Sequence, residues 1–388
     1  MPEPVTGTRG TKYADGTETS LPRDVSERIN QLQPDAAPLI AITSALKKTR
    51  TAREAKYEWF EDELAPNVVT TTTTGTGTTV DVTTGQGVRV RVNDILVAPN
   101  GEAMLVTAIS TDALTVTRSM GATAAYSLVS GDQLVILGTA MLEGSSMPTF
   151  RYTKKVVKVN YIQIFKDPVI LTDVQAMVDS YGGNDRTYQR MKAAIQHKRS
   201  IEQAYLFGDG FEDTSDTQTR RGTKGLLNFI STNVTDIGGV ITEADMETFC
   251  RTVFRYHPDV ATGSKMAFFS PILISAVNAF AKQALQITSN EKVYGLKIAT
   301  WRSGHGDLGI IRHWLLQDFT EFQKYGFVIE PANVRQVVLQ NGGDTKLYTD
   351  TQDKDESVFQ DEYRSYKGVQ VEQEQTHGIL KGVTGYAA

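Results

Sequence analysis

The stretch TAREAKYEWFEDEL, residues 51–64, has the pattern of an extended segment and becomes strongly acidic towards its end. Residues 51–65 carry two basic and five acidic groups. A second extended stretch, TFRYTKKVVKVNYIQIF (149–165), has the opposite charge balance, since residues 148–167 carry five basic groups and one acidic group. Because opposite charges that face each other across a strand pair stabilise it, the two stretches are predicted to be the limbs of one long two-stranded arm.

Between the limbs, residues 66–147 begin with the threonine-rich tract VVTTTTTGTGTTVDVTTGQ (68–86). A glycosylated stalk would need proline and a secretory route, and a flexible tether would be rich in Gly and Ser. Threonine is β-branched and favours strands. VRVRV (88–92) alternates like a strand, and Asn100-Gly101 is a hairpin signal. Further strand-like segments are MLVTAI (104–109), LTVTR (114–118) and LVILG (134–138). Residues 66–147 are therefore predicted to be a small β domain, with a flexible linker as the alternative.

The longest predicted helix covers residues 184–208, with Asn184 as its N-terminal cap and Gly208 at its end. At ~1.5 Å per residue it would be about 35 Å long. Lys198 and Glu202 fall inside its apolar arc, so they are predicted to pair with each other or with a neighbouring element. The apolar positions on this arc are Tyr188, Met191, Ala194, Ile195, Ile201, Tyr205 and Leu206. The helix carries a local charge of +3, which fits either nucleic-acid phosphates or a solvated face.

The remaining pattern is mixed α/β. A short helix is predicted after Pro22, further helices at 242–256 and from Pro271 to about 284, and a strand at 265–269. Further strands are predicted at 292–301, 307–316, 325–330 and 334–339, and in the acidic tail 344–388.

The composition is that of a globular protein: 388 residues, 40% hydrophobic and 22% charged, with a net charge of −5. The acidic balance argues against a general nucleic-acid binder. The single cysteine, Cys250, excludes an internal disulfide framework and suits a reducing compartment. The N-terminus has no apolar signal core, and the most apolar run, residues 267–280, is too short to span a bilayer. A soluble cytoplasmic product is expected.

The sequence predicts no catalytic, cofactor or metal site. His305, Asp307 and His313 lie close together, but their spacing matches no zinc pattern, and polar tips on a Gly-rich turn are favoured. Cys250 has no sequence-adjacent partner, so a packing role is favoured. No Walker loop, dinucleotide loop or nucleophile elbow occurs. Long limbs, an inserted β domain and a rigid helix suit contact with copies of the same chain.

Residues 22–64, PRDVSERINQLQPDAAPLIAITSALKKTRTAREAKYEWFEDEL, resemble the opening of tailed-bacteriophage major capsid proteins of the SU10-type branch. In that branch a short helix leads to an Asp-x-x-Pro turn and an extended segment that ends in Glu-Trp-x-x-Asp. The matching positions are Asp35, Pro38, Glu58, Trp59 and Asp62. The resemblance continues in NYIQIF (160–165), in the helix around Lys198, Arg199 and Glu202, in 292–316 and in YGFVIEPANVRQVVL (325–339).

The resemblance implies an α+β, Hong Kong 97-like major capsid fold. Its parts would be an N-terminal arm (1–50), extended-loop limbs (51–65 and 148–165) with the β domain (66–147) inserted between them, a peripheral domain (166–225 and 341–388) with the spine helix 184–208, and an axial domain (226–340).

The resemblance also implies a major capsid protein that assembles into an icosahedral shell of hexamers and pentamers. The shell would enclose double-stranded DNA without sequence-specific binding, and the chain would be found in the virion after synthesis in the bacterial host cytoplasm. Expected partners are copies of the chain and separate scaffolding, portal and decoration proteins, with no membrane. A tail or adhesion protein and, less favoured, a cytoplasmic enzyme are the alternatives.

The extended loop is expected to supply the contacts between subunits. The predicted contact residues are Glu58, Trp59, Phe60, Asp62, Arg151, Lys154, Lys155 and Lys158, with Lys198, Arg199 and Glu202 on the spine helix.

Overall fold

The computed structural model describes residues 37–178, 184–256, 264–284, 287–293 and 296–387. Its contacts divide the chain into a first unit, Met1–Glu58 with Val159–Ala388, and a second unit, Trp59–Lys158. The helix predicted after Pro22, the motif residue Asp35 and the N-terminal arm up to residue 36 lie outside the described residues.

The helices, numbered in chain order, are α1 (Pro38–Ala45), α2 (Asp173–Met177), α3 (Asp185–Phe207), α4 (Leu226–Phe229), α5 (Glu243–Val253), α6 (Pro271–Ala284) and α7 (Leu315–Asp318). The strands up to the end of the second limb are β1 (Thr49–Ala52), β2 (Lys56–Glu61), β3 (Val68–Thr70), β4 (Thr79–Asp81), β5 (Asp94–Val97), β6 (Ala103–Ser110), β7 (Ala113–Thr117), β8 (Gln133–Thr139), β9 (Val156–Tyr161) and β10 (Gln163–Thr172). The later strands are β11 (Phe211–Asp213), β12 (Arg220–Gly222), β13 (Val234–Ile241), β14 (Ser264–Phe269), β15 (Ile287–Val293), β16 (Leu296–Ser303), β17 (Gly306–Arg312), β18 (Gly326–Ile329), β19 (Val334–Leu339), β20 (Lys346–Tyr348), β21 (Val358–Val371) and β22 (Gly378–Tyr386).

The second unit contains a six-stranded sheet in the order β3-β8-β5-β6-β7-β4. The two ends of this sheet meet, because Thr71 and Val82 form an isolated bridge and Thr72 N–H donates to the Asp81 carbonyl at 2.8 Å. The sheet therefore closes into a small barrel. Its interior is apolar and includes Val69, Val80, Leu96, Met104, Val106, Leu114 and Leu134.

Within the threonine tract the strands are β3 and β4, and Thr71 and Val82, which follow them, form the bridge that closes the barrel. The strand predicted at 88–92 is wrong, since Gly87–Arg89 is a short 3-10 helix. A distant partner is the reason, because the Asp112 carboxylate accepts the Gly85 and Gly87 N–H groups from more than twenty residues away in sequence. A Cβ on Gly87 would lie 1.8 Å from the Thr111 carbonyl oxygen, so only glycine fits there.

A buried carboxylate orders the barrel's longest loops. Glu102 is fully buried and accepts hydrogen bonds from Arg118 Nε (2.8 Å) and Nη2 (2.7 Å). It also accepts the N–H groups of Ser119 (3.0 Å) and Tyr126 (2.7 Å). Arg118 in turn donates to the Gly77 carbonyl in the threonine tract. The Arg118 hydrogen bonds lower the pKa of Glu102 to about 2.

The first unit is built on two sheets. A five-stranded sheet has the order β1-β19-β21-β10, with β20 also paired to β21, and a seven-stranded sheet has the order β13-β22-β18-β14-β17-β16-β15. Helices α5 and α6 contribute to one apolar core, for example through Phe249 and Leu273. A second core gathers side chains from α1, α3 and both sheets, including Leu39, Tyr205, Phe327 and Val369.

Helix α3 begins and ends as the sequence predicts, since Asn184 accepts the Thr187 N–H at 3.1 Å and Gly208 follows its last residue. A Cβ on Gly208 would lie 2.3 Å from the Thr223 carbonyl oxygen, which explains the glycine. Met191, assigned to the apolar arc, is exposed. The apolar side chains buried on this helix are Ile201, Tyr205 and Leu206, near its C-terminal end.

Two predictions for the first unit need correction. Residues 292–301 are not one strand, because β15 ends at Val293, β16 begins at Leu296 and the two strands pair antiparallel. The strand predicted at 307–316 ends at Arg312, where the chain turns into α7. The helices predicted at 242–256 and from Pro271 are present as α5 and α6, and the tail forms β20, β21 and β22.

We expect Glu102→Gln to destabilise the second unit by about 3 kcal/mol, because it removes the charged partner of a buried arginine. In the wild type the Glu102 contribution is fully present above the unfolded pKa of about 4.5 and is lost as the pH falls towards the folded pKa of about 2. Calorimetric unfolding between pH 7 and pH 3 measures it. The stability of Glu102→Gln should fall less than that of the wild type as the pH is lowered. Asp81→Asn, at an exposed carboxylate of the same barrel, should behave like wild type. Equal stability of all three proteins at each pH would contradict the role of Glu102.

Candidate assembly surfaces

Glu202 on the spine helix α3 holds together three elements of the first unit. Its fully buried carboxylate accepts the N–H groups of Leu39 (2.7 Å) and Ile40 (2.9 Å), in the first turn of α1. The residue that precedes α1 is Ala37, whose side chain has no acceptor, so Glu202 supplies the helix cap from another element. Nε2 of the buried His313 lies 2.9 Å from the same carboxylate.

Lys198 and Glu202 do not pair with each other. Lys198 is exposed and forms no ion pair with a residue in the described part of the chain, while Glu202 faces α1 and His313. Arg199 bonds to Asp318 of α7 at 2.7 Å, with both side chains partly exposed. Of the three predicted spine-helix residues, only Lys198 presents to solvent a charge that has no ion-pair partner among the described residues.

The N-terminal half of α3 is anchored to β21 by a second buried carboxylate. Asp361 is fully buried and accepts paired hydrogen bonds from Arg186 (2.6 and 2.9 Å) and Arg190 (2.7 and 3.0 Å). Burial alone would raise the pKa of Asp361, but these hydrogen bonds outweigh it and hold the pKa well below its usual range. Fork-like arginine–carboxylate pairs of this kind fix orientation as well as distance.

His197 anchors the middle of α3 to the five-stranded sheet. Its Nδ1 lies 2.5 Å from Asp167 Oδ2 on β10, and its Nε2 lies 2.6 Å from Ser365 Oγ on β21. An Asp–His–Ser chain is the arrangement of an activated serine nucleophile. Here His197 and Ser365 are both fully buried, so the hydroxyl presents no face to a substrate. The three residues tether the helix.

The three residues that the sequence analysis considered as a metal site lie apart, each with a different partner. His305 lies 3.3 Å from Glu247, Asp307 lies 4.0 Å from Arg302, and His313 faces Glu202. The interpretation as polar tips on a turn fits His305, but it is wrong for His313, which is buried. No group of three or more His, Cys, Asp or Glu side chains within the described ranges is arranged to hold a metal ion.

On the outgoing limb, the two aromatic residues that were predicted to contact other subunits differ in their exposure to solvent. Along β2 exposed and buried side chains alternate, so Trp59 is buried within the chain and Phe60 is 71% exposed. Trp59 Nε1 donates to Glu61 Oε1 at 2.8 Å. Glu58 lies 3.3 Å from Lys56 on the same face, and Asp62 accepts from Thr153 Oγ1 at 3.0 Å. Phe60, rather than Trp59, is the aromatic side chain available to another copy.

The returning limb does not form the predicted ladder of charge pairs. Lys154 and Lys155 are exposed and Lys158 is half-buried, and none of the three forms an ion pair with a residue that the structure describes. The two strands β2 and β9 do pair, but β2 ends at Glu61 and β9 begins only at Val156. Residues 151–155 therefore lie outside the strand pair. Arg151 donates to the Arg89 carbonyl in the barrel.

The two limbs and the adjoining end of the inserted domain also expose apolar side chains that the sequence reasoning missed. Leu64 and Met147 are both 95% exposed, and Phe150 is 82% exposed. The Phe150 and Tyr152 rings stack with their centroids 5.6 Å apart. Two aromatic residues at i and i+2 in a basic segment were the available signal, because strand geometry puts them on one face. Exposed apolar groups concentrated in this way mark a contact surface.

Within the described residues no helix is both long and apolar enough to cross a membrane.

Comparison with known proteins matches the chain to the family model of the SU10 major capsid protein over residues 5–384. A curated relative is the major capsid protein of Pseudomonas phage PaMx41, which is 24% identical over 324 residues, 80% of this chain and 77% of that protein.

Solved structures that align with the chain include two phage capsids. The capsid protein of cyanophage P-SCSP1u is 9% identical, with 98% of this chain and 100% of that chain covered and a TM-score of 0.47. That of Myoviridae phage XM1 is 9% identical, with 97% and 100% covered and a TM-score of 0.45. The SrpI encapsulin of Synechococcus elongatus is 12% identical, with 61% and 80% covered and a TM-score of 0.43.

We expect Glu202→Gln to loosen the attachment of α1, because an amide offers one acceptor oxygen where the carboxylate offers two. The predicted loss of unfolding free energy is roughly 3 kcal/mol. Trypsin should also cut faster after Lys47 or Lys48, which follow α1 directly. Lys198→Gln, at an exposed position of the same helix, is the matched control and should leave both measurements unchanged. Unaltered stability and cleavage in Glu202→Gln would show that α1 is held by other contacts.

Proposed function

The chain belongs to the SU10 major capsid protein family, so it is a major capsid protein that forms the icosahedral shell of a tailed phage, and we propose that its two exposed limbs carry the contacts between copies. The α+β class predicted from the sequence is confirmed, and self-association follows from the family. The finer proposal is that hexamers and pentamers make up the shell and enclose double-stranded DNA without reading its sequence.

The limb proposal rests on the segment 149–155, in which the aromatic side chains and the lysines are exposed. It combines the stacked pair Phe150 and Tyr152 with Lys154 and Lys155, whose charges find no partner among the described residues. A neighbouring copy that covers this segment would bury aromatic area and supply counter-charges. Large aromatic side chains of this kind anchor protein interfaces.

The outgoing limb offers complementary groups. Phe60 is exposed, and Glu58 and Asp62 are close to it in sequence with partly solvated carboxylates. Trp59 acts from within the chain, because its side chain is buried. Arg151 and Lys158 are partly buried, so they are proposed to support the contact. On the spine helix, Lys198 is the residue proposed to meet a neighbour, while Arg199 and Glu202 stabilise the subunit itself.

We propose the following roles for the parts of the chain, in terms of the Hong Kong 97-like fold. Residues 1–50 are the N-terminal arm, 51–65 and 148–165 the extended-loop limbs, 66–147 an inserted domain, 166–225 with 341–388 the peripheral domain, and 226–340 the axial domain. The capped, triply anchored helix α3 supports its role as the rigid spine of the peripheral domain.

The chain acts in the virion as a structural component, and we propose that it has no enzymatic activity. Ser365 and His197 are buried, and burial raises the pKa of the Cys250 thiol to about 12, so the thiolate nucleophile is suppressed. We also propose that the chain is synthesised in the host cytoplasm and that it assembles with separate scaffolding, portal and decoration proteins. A tail or adhesion role, the alternative from the sequence, does not match the family.

Electron microscopy tests the shell proposal directly. The full chain, expressed with its scaffolding protein, should form closed shells of uniform size. Protein that stays monomeric at high concentration under these conditions would contradict it.

Charge reversal tests the limb. We expect Lys154→Glu with Lys155→Glu to leave the folded subunit unchanged by circular dichroism and to reduce shell yield at least tenfold, since two unpaired cations would become anions facing the same neighbour. Neutralisation to Gln should give an intermediate yield. Raising the salt concentration should weaken wild-type assembly, because exposed charges are screened within a Debye length of ~10 Å at 0.1 M. A matched reversal at the exposed Lys354 should have no effect. Normal shells from the double reversal would exclude an electrostatic role of these lysines.

A further inference from the structure

The barrel of the second unit has two unlike outer faces. On β4 and β7 the outward side chains are polar and exposed, among them Thr79, Asp81, Thr115 and Thr117. On the four neighbouring strands β3, β8, β5 and β6 the outward side chains are mainly apolar, with Thr70, Gln133 and Thr107 among the polar exceptions. The face on these four strands, here called the apolar face, consists of Val68, Ile95, Val97, Ala103, Leu105, Val135 and Leu137.

Strand register makes the apolar face continuous. Val135 pairs with Val68 on one side and Val97 on the other, and Val97 pairs with Ala103, so one apolar row crosses four strands. Ile95 pairs with Leu105 in the next row, beside Leu137 at an irregularity of β8. Val135 is 42% exposed and Leu137 is 67% exposed, and neither is needed to fill the barrel's interior.

The size of the apolar face limits what can bind it. Four strands spaced ~4.8 Å apart and two rows of side chains spaced ~6.7 Å apart cover about 250 Å². A separate protein that binds from solution with specificity buries roughly 800 Å² on each partner. The face is therefore too small to capture a free partner by itself. A copy of the same chain that is already held nearby needs much less contact area, because its effective concentration is high.

We propose that, in the assembled shell, the apolar faces of the barrels of two copies pack against each other. The seven residues of the face include no charge, so two identical faces meet without like-charge repulsion, and two sheets can stack at a spacing of ~10 Å. The inference rests on the proposed assembly of copies into a shell. It adds a specific contact, through the inserted barrel, to those proposed for the limbs.

The symmetry of this contact has a consequence that can be measured. A contact between identical patches is isologous and requires a two-fold axis, whereas neighbours within a five- or six-membered ring are related by head-to-tail contacts. The barrel contact therefore joins copies that belong to different rings. Each face is used once, so the contact links copies in pairs only.

Cysteine cross-linking of assembled shells tests the pairing. Leu137→Cys places a thiol on the apolar face, and Thr115→Cys places a matched thiol on the polar face of the same barrel. The native Cys250 is buried and does not compete. We expect a short bis-maleimide to convert most of Leu137→Cys in shells to covalent dimers, with no larger species. Free subunits of Leu137→Cys and shells of Thr115→Cys should remain monomeric on denaturing gels.

Electron microscopy of the same samples separates the two proposals. If no shells form with either variant or with wild type, the proposed function fails. If shells form, a Leu137→Cys protein that stays monomeric, a ladder of trimers and larger species, or cross-linking to a different protein would each overturn the barrel contact. Val135→Cys provides a second thiol on the face if Leu137→Cys shells do not assemble. Dimers from Val135→Cys shells would support the contact, and monomers would overturn it.

Discussion

The first unit depends on one buried carboxylate. A fully buried Glu202 is tolerated only if its oxygens are bonded, and the partners are the free N–H groups of α1 and the ring of His313. This requirement places α1, the spine helix and the segment after β17 in one arrangement. Further buried hydrogen bonds, from the helix to Asp361 and through His197, fix the position of the same helix. Helix α3 is therefore oriented by directional bonds as well as by apolar packing, which suits the rigid role proposed for it.

The second unit also depends on a buried, hydrogen-bonded carboxylate of its own. Glu102 is buried at the centre of hydrogen bonds from Arg118, Ser119 and Tyr126, and the barrel encloses its own apolar core. Its outer surface differs from one side to the other, with threonines on β4 and β7 and apolar residues on β3, β8, β5 and β6. The limbs that lead to it leave aromatic side chains and lysines uncovered. The exposed limbs therefore offer the surface that the proposed contacts with neighbouring copies would cover.

Sequence reasoning was accurate where local patterns decide the structure. The caps of α3 at Asn184 and Gly208 and the hairpin turn at Asn100-Gly101 follow from local chemistry. It failed where distant partners decide: Glu202 reaches Leu39, 163 residues away, instead of Lys198 one turn away. The cross-limb ion pairs failed because the opposite charges were counted without the register, and the strand pair ends before Lys154 and Lys155. The stacked Phe150 and Tyr152 were visible in the sequence, but their exposure was not.

The most direct test of how the subunits are joined is to determine what surrounds residues 149–155 in an assembled shell. A cryo-electron microscopy reconstruction at side-chain resolution would show it. Phe150 and Tyr152 should be covered by a neighbouring copy, with a carboxylate within salt-bridge distance of Lys154 or Lys155. A reconstruction in which this segment remains exposed to solvent, in a shell that is otherwise complete, would contradict the role assigned to the limbs.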